Sequence, residues 1–599
     1  MQTRAHALRR RLLQRPRPAL LAALAALLAL PALWTGLQLD DYQHRAVLHQ
    51  HAGAAGVAAA MDLFVFLDGD AARTRALIAH GAMPWWTLPT ARVAFWRPLS
   101  ALTHWLDYQL WPEMPALMHA HSLLWLAGLV AAAALLFRRI MGDAPAAGLA
   151  AALYALDAAH GFGAAWLANR NALCAALFGV LALLAHQRWR QGGGRAAAWR
   201  SCLWLACGLL SAEAAVATLA YLAAYALCLE AGGWRARLLS LAPALLVVCA
   251  WRALYRALGY GSWGTAYIDP LLEPLRYAAA LAERAPLLLA AQWSLLPAEA
   301  APLLPASLGP PLWIGAAALV GLLGWALAPL LRRDKLARFW ALGMLLALLP
   351  PCAALPANRL LFFVGLGAFG LLARFARSGE GRQATGDAGL DARLRGSPHA
   401  PRSSSFATRA RRLVRRGLLL IHLLLAPLLL PLAAGGPALL GDAGAALRAL
   451  PHGIAGRSLV VVAAPSVFSL SPIDVARGEA GLPLPASTLL LAPNVGGVAL
   501  RRLDRRTLEA RPARGFLDSY DAVFRARWHP LREGETIRVA GAMVTVGELT
   551  ADGRPASAVF RFDAPLDNEG LVWLVWRGGR YEAFALPAEG ESVWVEPGL

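Results

Sequence analysis

The chain has 599 residues, 58% of them hydrophobic and only 16% charged, and a water-soluble fold of that size has too little interior to hide so much apolar surface. A formal charge of +20 raises nucleic acid as a partner, but the arginines gather in short clusters beside apolar runs, as cytoplasmic loops do, and no nucleic-acid motif accompanies them. The six cysteines (Cys174, Cys202, Cys207, Cys228, Cys249, Cys352) lie in or beside apolar segments without metal-ligand spacing, so they imply no disulfide framework. The expected class is a polytopic α-helical membrane protein.

The chain opens on Arg9-Arg10-Arg11 and an apolar run from Ala19 to Leu37. This is a signal peptide or a retained first span, and either one places the segment after Leu37 outside; retention is the preferred reading because a small-residue cleavage pattern is poorly formed. Further runs able to cross roughly 30 Å of hydrocarbon cover 116–137, 144–162, 171–185, 198–210, 214–229, 238–250, 312–331, 339–350, 360–372 and 417–432, for about eleven spans. Arg138-Arg139, Arg188 to Arg200, Arg235 and Arg237, Arg332 to Lys335, and Arg374 to Arg416 then fall on one side, the cytoplasmic one.

Between Ser378 and Ser405 the composition turns to Gly, Ser, Asp, Arg and Pro without an apolar period, which predicts a disordered linker. Its basic end, Arg409 to Arg416, is read as a positive-inside anchor that also meets anionic headgroups. Past Leu440 the period changes to two. Ser458–Ala464, Thr488–Ala492, Thr536–Val546, Ala556–Asp563 and Val593–Val595 read as strands, and the runs flanking Arg577-Gly578-Gly579-Arg580 as a hairpin. The division is therefore a transmembrane region at 1–374 with large outer loops at 38–115 and 251–311, a basic cytoplasmic linker at 375–416, a last transmembrane helix at 417–434, and a mostly β extracytoplasmic domain at 440–599, read as a small sandwich.

Polar residues concentrate on the outer side. Asp40 and Asp41 follow the first span, where a lipid headgroup sits and a carboxylate can take a proton from an acceptor hydroxyl; two acids there are also simply a solvated helix boundary. Arg97-Pro98-Leu99-Ser100, with His104, Asp107 and Tyr108, reads as an interfacial helix whose arginine holds a phosphate or snorkels to headgroups. Asp157 and His160 meet Trp166, Arg170 and Asn171 at one outer turn, where Asp157 and Arg170 are a candidate structural ion pair. Glu213 and Arg359 occupy two further outer turns.

In this order the landmarks resemble the GT-C superfamily, specifically the membrane half of protein O-mannosyltransferase-like proteins that carry tetratricopeptide repeats. They are Asp40-Asp41, Arg97 to Ser100, the Trp-x-x-x-Arg turn from Trp166 to Arg170, the Ser-x-Glu-x-Ala turn from Ser211 to Ala215, and Arg-Leu-Leu-Phe from Arg359 to Phe362. The resemblance covers Trp34 to Ala373. It departs at Asp157-Ala158-Ala159-His160, where the family commonly has His-Pro-x-His, at Ala172, where it has an acid, and in lacking the repeats.

The resemblance implies an inverting glycosyltransferase that moves a sugar from a polyprenyl-phosphate donor to an envelope acceptor on the extracytoplasmic face. Asp40 and Asp41 are then catalytic, and Arg97, His160, Arg170, Glu213 and Arg359 bind substrate and phosphate. No metal or cofactor is expected, because a monophosphate leaving group faces several arginines; a divalent ion is compatible with the superfamily. The expected setting is a bacterial inner membrane, crossed many times, with the N-terminus cytoplasmic and the C-terminal domain periplasmic. A lipid-linked-sugar flippase and a degenerate envelope scaffold are the competing readings.

Overall fold

The computed structural model describes residues 17–49, 51, 53–142, 144–378, 403–439 and 443–598. The Arg9-Arg10-Arg11 start and most of the expected linker lie outside them. The apolar runs are largely helical, and among the described residues six helices are long and apolar enough to cross a membrane: Pro115–Met141, Leu167–Arg190, Trp234–Ala257, Gly309–Arg333, Lys335–Ala353 and Phe406–Gly436.

Local chemistry sets their ends. Proline, whose missing N–H costs nothing in a first turn, opens Pro18–Leu28, Pro98–Leu110, Pro115–Met141 and Pro274–Trp293. Gly142, at φ +64°, closes Pro115–Met141 in a left-handed conformation. Asp334 caps Lys335–Leu346 by accepting from the Leu336 and Ala337 N–H groups, and its other carboxylate oxygen takes Arg374 at 2.7 Å. With Arg190 bound to Glu230 and Gln187 to the Arg139 carbonyl, the basic helix ends meet one another at one end of the bundle.

Two segments differ from expectation. Residues 403–416, expected within the linker, are helical: Ser403–Leu420 continues through a π-helical turn at Ile421–Leu425 into Ala426–Leu439. Beyond Ser405 the Gly/Ser/Asp composition gives way to Arg and Leu at helical spacing, and that amphipathic period carries the helix. The loop expected at 251–311 contains the helix Pro274–Trp293. It carries Arg276, Glu283 and Arg284, and it lies along the bundle's non-basic end. Arg284 donates to the Cys352 and Ala354 carbonyls at 3.0 and 2.9 Å, Gln292 to Asp157 at 3.4 Å, and just beyond it the Ala298 N–H donates to Asn358.

The two large loops join. Strands β1 (Val65–Asp68), β2 (Arg92–Ala94) and β3 (Gly261–Trp263) form one antiparallel sheet, so the loop at 38–115 pairs with the one at 251–311. The C-terminal region is mostly β and has two sheets. One is antiparallel, ordered β13-β6-β7-β10-β9-β8; the other, β12-β11-β4-β5, has β4 parallel to both neighbours, with the helix Ile473–Gly478 in the β4–β5 crossover. Here β4 is Ser458–Ala464, β5 Ser487–Pro493, β6 Val498–Arg502, β7 Thr507–Pro512, β8 Thr536–Val539, β9 Ala542–Val546, β10 Ala558–Phe562, β11 Leu571–Arg577, β12 Arg580–Ala583 and β13 Ser592–Val595.

The expected hairpin is present, with Arg577 opposite Arg580 and Gly578 and Gly579 both at positive φ, the geometry of a two-residue turn that follows strand twist. The expected strand Thr536–Val546 is instead two strands folded back on each other at Ala540-Gly541, with Gly541 at φ +70°. This region shares its core with the first large loop. Trp85 and Trp86 are buried among its strands, Trp85 with its ring 4.9 Å from that of Phe516 and its indole N–H on the Leu491 carbonyl.

Candidate functional site

Gln38 begins the site. Its N–H donates to Asp41 Oδ2 at 2.9 Å, its carbonyl accepts the Asp41 N–H, and its side-chain amide holds the Thr35 carbonyl. This knot forces Leu39 to φ +46°, a left-handed conformation that costs a branched residue about 1 kcal/mol. It starts the helix Asp40–His49 with both carboxylates in its first turn.

The two acids have different surroundings. Asp41 is buried and satisfied, its second oxygen accepting the Ala168 N–H at 2.7 Å, so it ties the start of the first loop to the Trp166–Arg170 turn. Burial pushes it up to about 7 despite those hydrogen bonds. Asp40, only partly covered, makes no hydrogen bond or ion pair among the described residues. Burial raises it to about 6, against the opposing pull of Arg359 and Arg97.

Arg97 gives Nε and Nη2 to one oxygen of Glu213, at 2.9 and 2.8 Å, and its guanidinium lies over the Phe95 ring at 4.3 Å and the Phe64 ring at 5.1 Å. The other Glu213 oxygen accepts the Tyr255 hydroxyl. Glu213 thus aims Arg97, while Nη1 makes no hydrogen bond among the described residues. Arg359 stacks on the Trp166 indole at 4.8 Å and forms no side-chain hydrogen bond among the described residues. Asp40, Arg97 and Arg359, with Glu213 behind Arg97, therefore form one group: a carboxylate with no hydrogen-bond or ion-pair partner among the described residues, drawn on electrostatically by two arginines that keep donors uncommitted among them.

Arg170 is committed to other partners. Its side chain is 0% exposed and pairs with Asp107, 1% exposed, at 2.5 Å. It also donates to Ser122 Oγ at 2.9 Å and to the Met118 and Thr103 carbonyls at 2.8 and 3.2 Å, which engages all three nitrogens. The candidate Asp157–Arg170 pair is not formed; Asp157 instead accepts from the Ala159 N–H and Gln292. Asp107 also takes His121 Nδ1 at 2.7 Å. His160 stands apart too, its ring stacked on Phe362 with centroids 5.2 Å apart and edge-on to Tyr154.

Three residues near Asp40 were not singled out from the sequence. His44 lies one turn along the same helix, buried against Phe64 with its ring 5.0 Å from His104. Burial, reinforced by Arg97 and Arg170, holds it down to about 3, so the pair is neutral near pH 7. Its signal was present as the four-residue spacing from Asp40. Tyr255 lies in the helix Ala242–Ala257, where its hydroxyl reaches Glu213 and the Ala94 carbonyl, and Tyr267 comes from the second loop, which the β2–β3 pairing ties to the first. The Tyr267 ring meets Phe95 edge-on at 5.5 Å.

No protein-family model matches the chain, and no curated protein matches it.

Proposed function

We propose that this chain is a membrane glycosyltransferase that moves a sugar from a polyprenyl-phosphate donor to an envelope acceptor, with inversion at the anomeric carbon. The carrying observation is the Asp40 carboxylate, without a partner among the described residues and under the pull of Arg97 and Arg359, at the end of the bundle opposite the basic helix termini. In this reading the apolar helices cross a bacterial inner membrane about eleven times, with the basic ends cytoplasmic and the site and the C-terminal domain periplasmic.

Asp40 accepts the proton of the acceptor hydroxyl as its oxygen bonds to the anomeric carbon. The bond from that carbon to the phosphate oxygen breaks, its electron pair goes to the phosphate, and the charge is met by Arg97 Nη1 and Arg359. Asp41 and Glu213 position these groups. Arg170 and His160, expected at the phosphate, act instead as supports of the scaffold: Arg170 binds the Pro98–Leu110 and Pro115–Met141 helices together, and His160 packs beside Phe362.

Purified protein in nanodiscs, given a panel of polyprenyl-phosphate sugars and an envelope extract, is expected to release polyprenyl phosphate. Asp40→Asn, with donor binding and thermal stability retained, is expected to abolish that release. Absence of turnover with every donor, in a protein that stays folded, defeats the transferase reading in favour of a scaffold.

A further inference from the structure

The segment 264–268 is clamped on both sides. The Ala266 N–H donates to the Ala522 carbonyl of the C-terminal domain at 3.1 Å, and the Ile268 N–H to the Ala353 carbonyl at 2.8 Å, on the loop that leads to Arg359. Arg284 adds a cross-brace from below, from the Ala266 carbonyl to those of Cys352 and Ala354. The Ala526 N–H reaches the Gly264 carbonyl at 2.9 Å, so the C-terminal domain holds this segment at two points. Tyr267 is the side chain between the clamps. It packs edge-on to Phe95, which itself carries the Arg97 guanidinium, and its hydroxyl makes no hydrogen bond among the described residues.

Tyr520, on the turn Ser519–Val523 of the C-terminal domain, locks the same junction from the other side. Its hydroxyl donates to the Glu299 carbonyl at 2.9 Å, and Glu299 Oε1 accepts the Asn358 N–H, one residue before Arg359. The C-terminal domain thereby reaches both Tyr267 and Arg359 through one hydrogen bond or a short relay of them.

We infer that the C-terminal domain is an integral part of the catalytic site, and that Tyr267 donates its phenolic hydrogen to the departing phosphate of the polyprenyl chain, with Tyr520 a positioning residue for Arg359. This rests on the reading of the site as a transferase. A phenol suits that place because burial raises its pKa, which keeps the proton available for donation beside two arginines. It adds a neutral donor where negative charge collects as the glycosidic bond breaks.

The test measures binding of undecaprenyl phosphate and steady-state turnover in full-length wild type, Tyr267→Phe and Tyr520→Phe, each checked for an unchanged melting temperature. Tyr267→Phe removes one oxygen and no packing; it is expected to weaken undecaprenyl phosphate binding about tenfold and to lower kcat between about tenfold and a hundredfold. Tyr520→Phe is expected to lower kcat about threefold with acceptor KM unchanged, and Tyr520→His, which keeps a donor at that position, to recover part of it. Wild type that binds and turns over while Tyr267→Phe matches it in both overturns the inference and leaves the transferase reading intact. Wild type that neither binds undecaprenyl phosphate nor turns over overturns the transferase reading, and the inference falls with it.

Discussion

At the scale of single residues the two neighbouring carboxylates separate by their surroundings. Asp40 has no hydrogen-bond or ion-pair partner among the described residues and is lifted to about 6, whereas both Asp41 oxygens hold backbone N–H groups. As a general base Asp40 acts only when ionised, so kcat/KM is expected to hold steady above about pH 6 and to fall about tenfold per unit below it. Asp41→Asn is expected to lower the rate by loosening the Trp166–Arg170 turn while keeping that acid limb; loss of the limb in this variant would make Asp41 the base. Arg170 carries a different expectation. Asp107→Asn leaves a fully buried guanidinium without its counter-charge, a loss of about 3–5 kcal/mol, read as a lower melting temperature in detergent rather than a weaker donor affinity. The sequence exposed Asp40, Arg97, Glu213 and Arg359 through their placement at outer turns. It could not tell Arg170 from them, because the ion pair that buries Arg170 joins residues far apart in the chain.

Elements show why the outer face was legible only in outline. The hairpin at Gly578-Gly579 carried its own turn chemistry, and Ser458–Ala464 its own apolar run, so both were readable locally. The hairpin of β6 and β7 was missed because its strands are short and rich in arginine, with an apolar period interrupted at Arg501-Arg502. The β2–β3 pairing links segments about 170 residues apart and leaves no local mark. Contacts of this kind are sensitive to single atoms. Gly81 has φ +80°, and a Cβ there would lie 1.7 Å from the Thr488 carbonyl oxygen of β5. Gly81→Ala is therefore expected to push the first loop off the C-terminal domain, seen as faster proteolysis within 62–90 in the folded protein. An unchanged digestion pattern would count against that docking.

For the whole molecule, the question is which faces of the bundle look the same way. The β1–β2–β3 sheet joins the two large loops, and Trp85 and Trp86 enter the core of the C-terminal domain, so these three regions and Asp40 share one side whatever their relation to a bilayer. The basic helix ends meet at the other side through Arg190–Glu230 and Arg374–Asp334. In the proposed orientation the arginine-rich side is the one that is not translocated, and the site then faces outside. In a variant with its six native cysteines replaced, a cysteine at exposed Glu589 is expected to react with a membrane-impermeant maleimide in spheroplasts. One at exposed Arg195 is expected to react only after lysis. Labelling of both from the same side would break the alternation of helices on which the placement of Asp40 depends. The reversed pattern would put the site on the cytoplasmic face, where a nucleotide sugar competes with a lipid-linked one as donor.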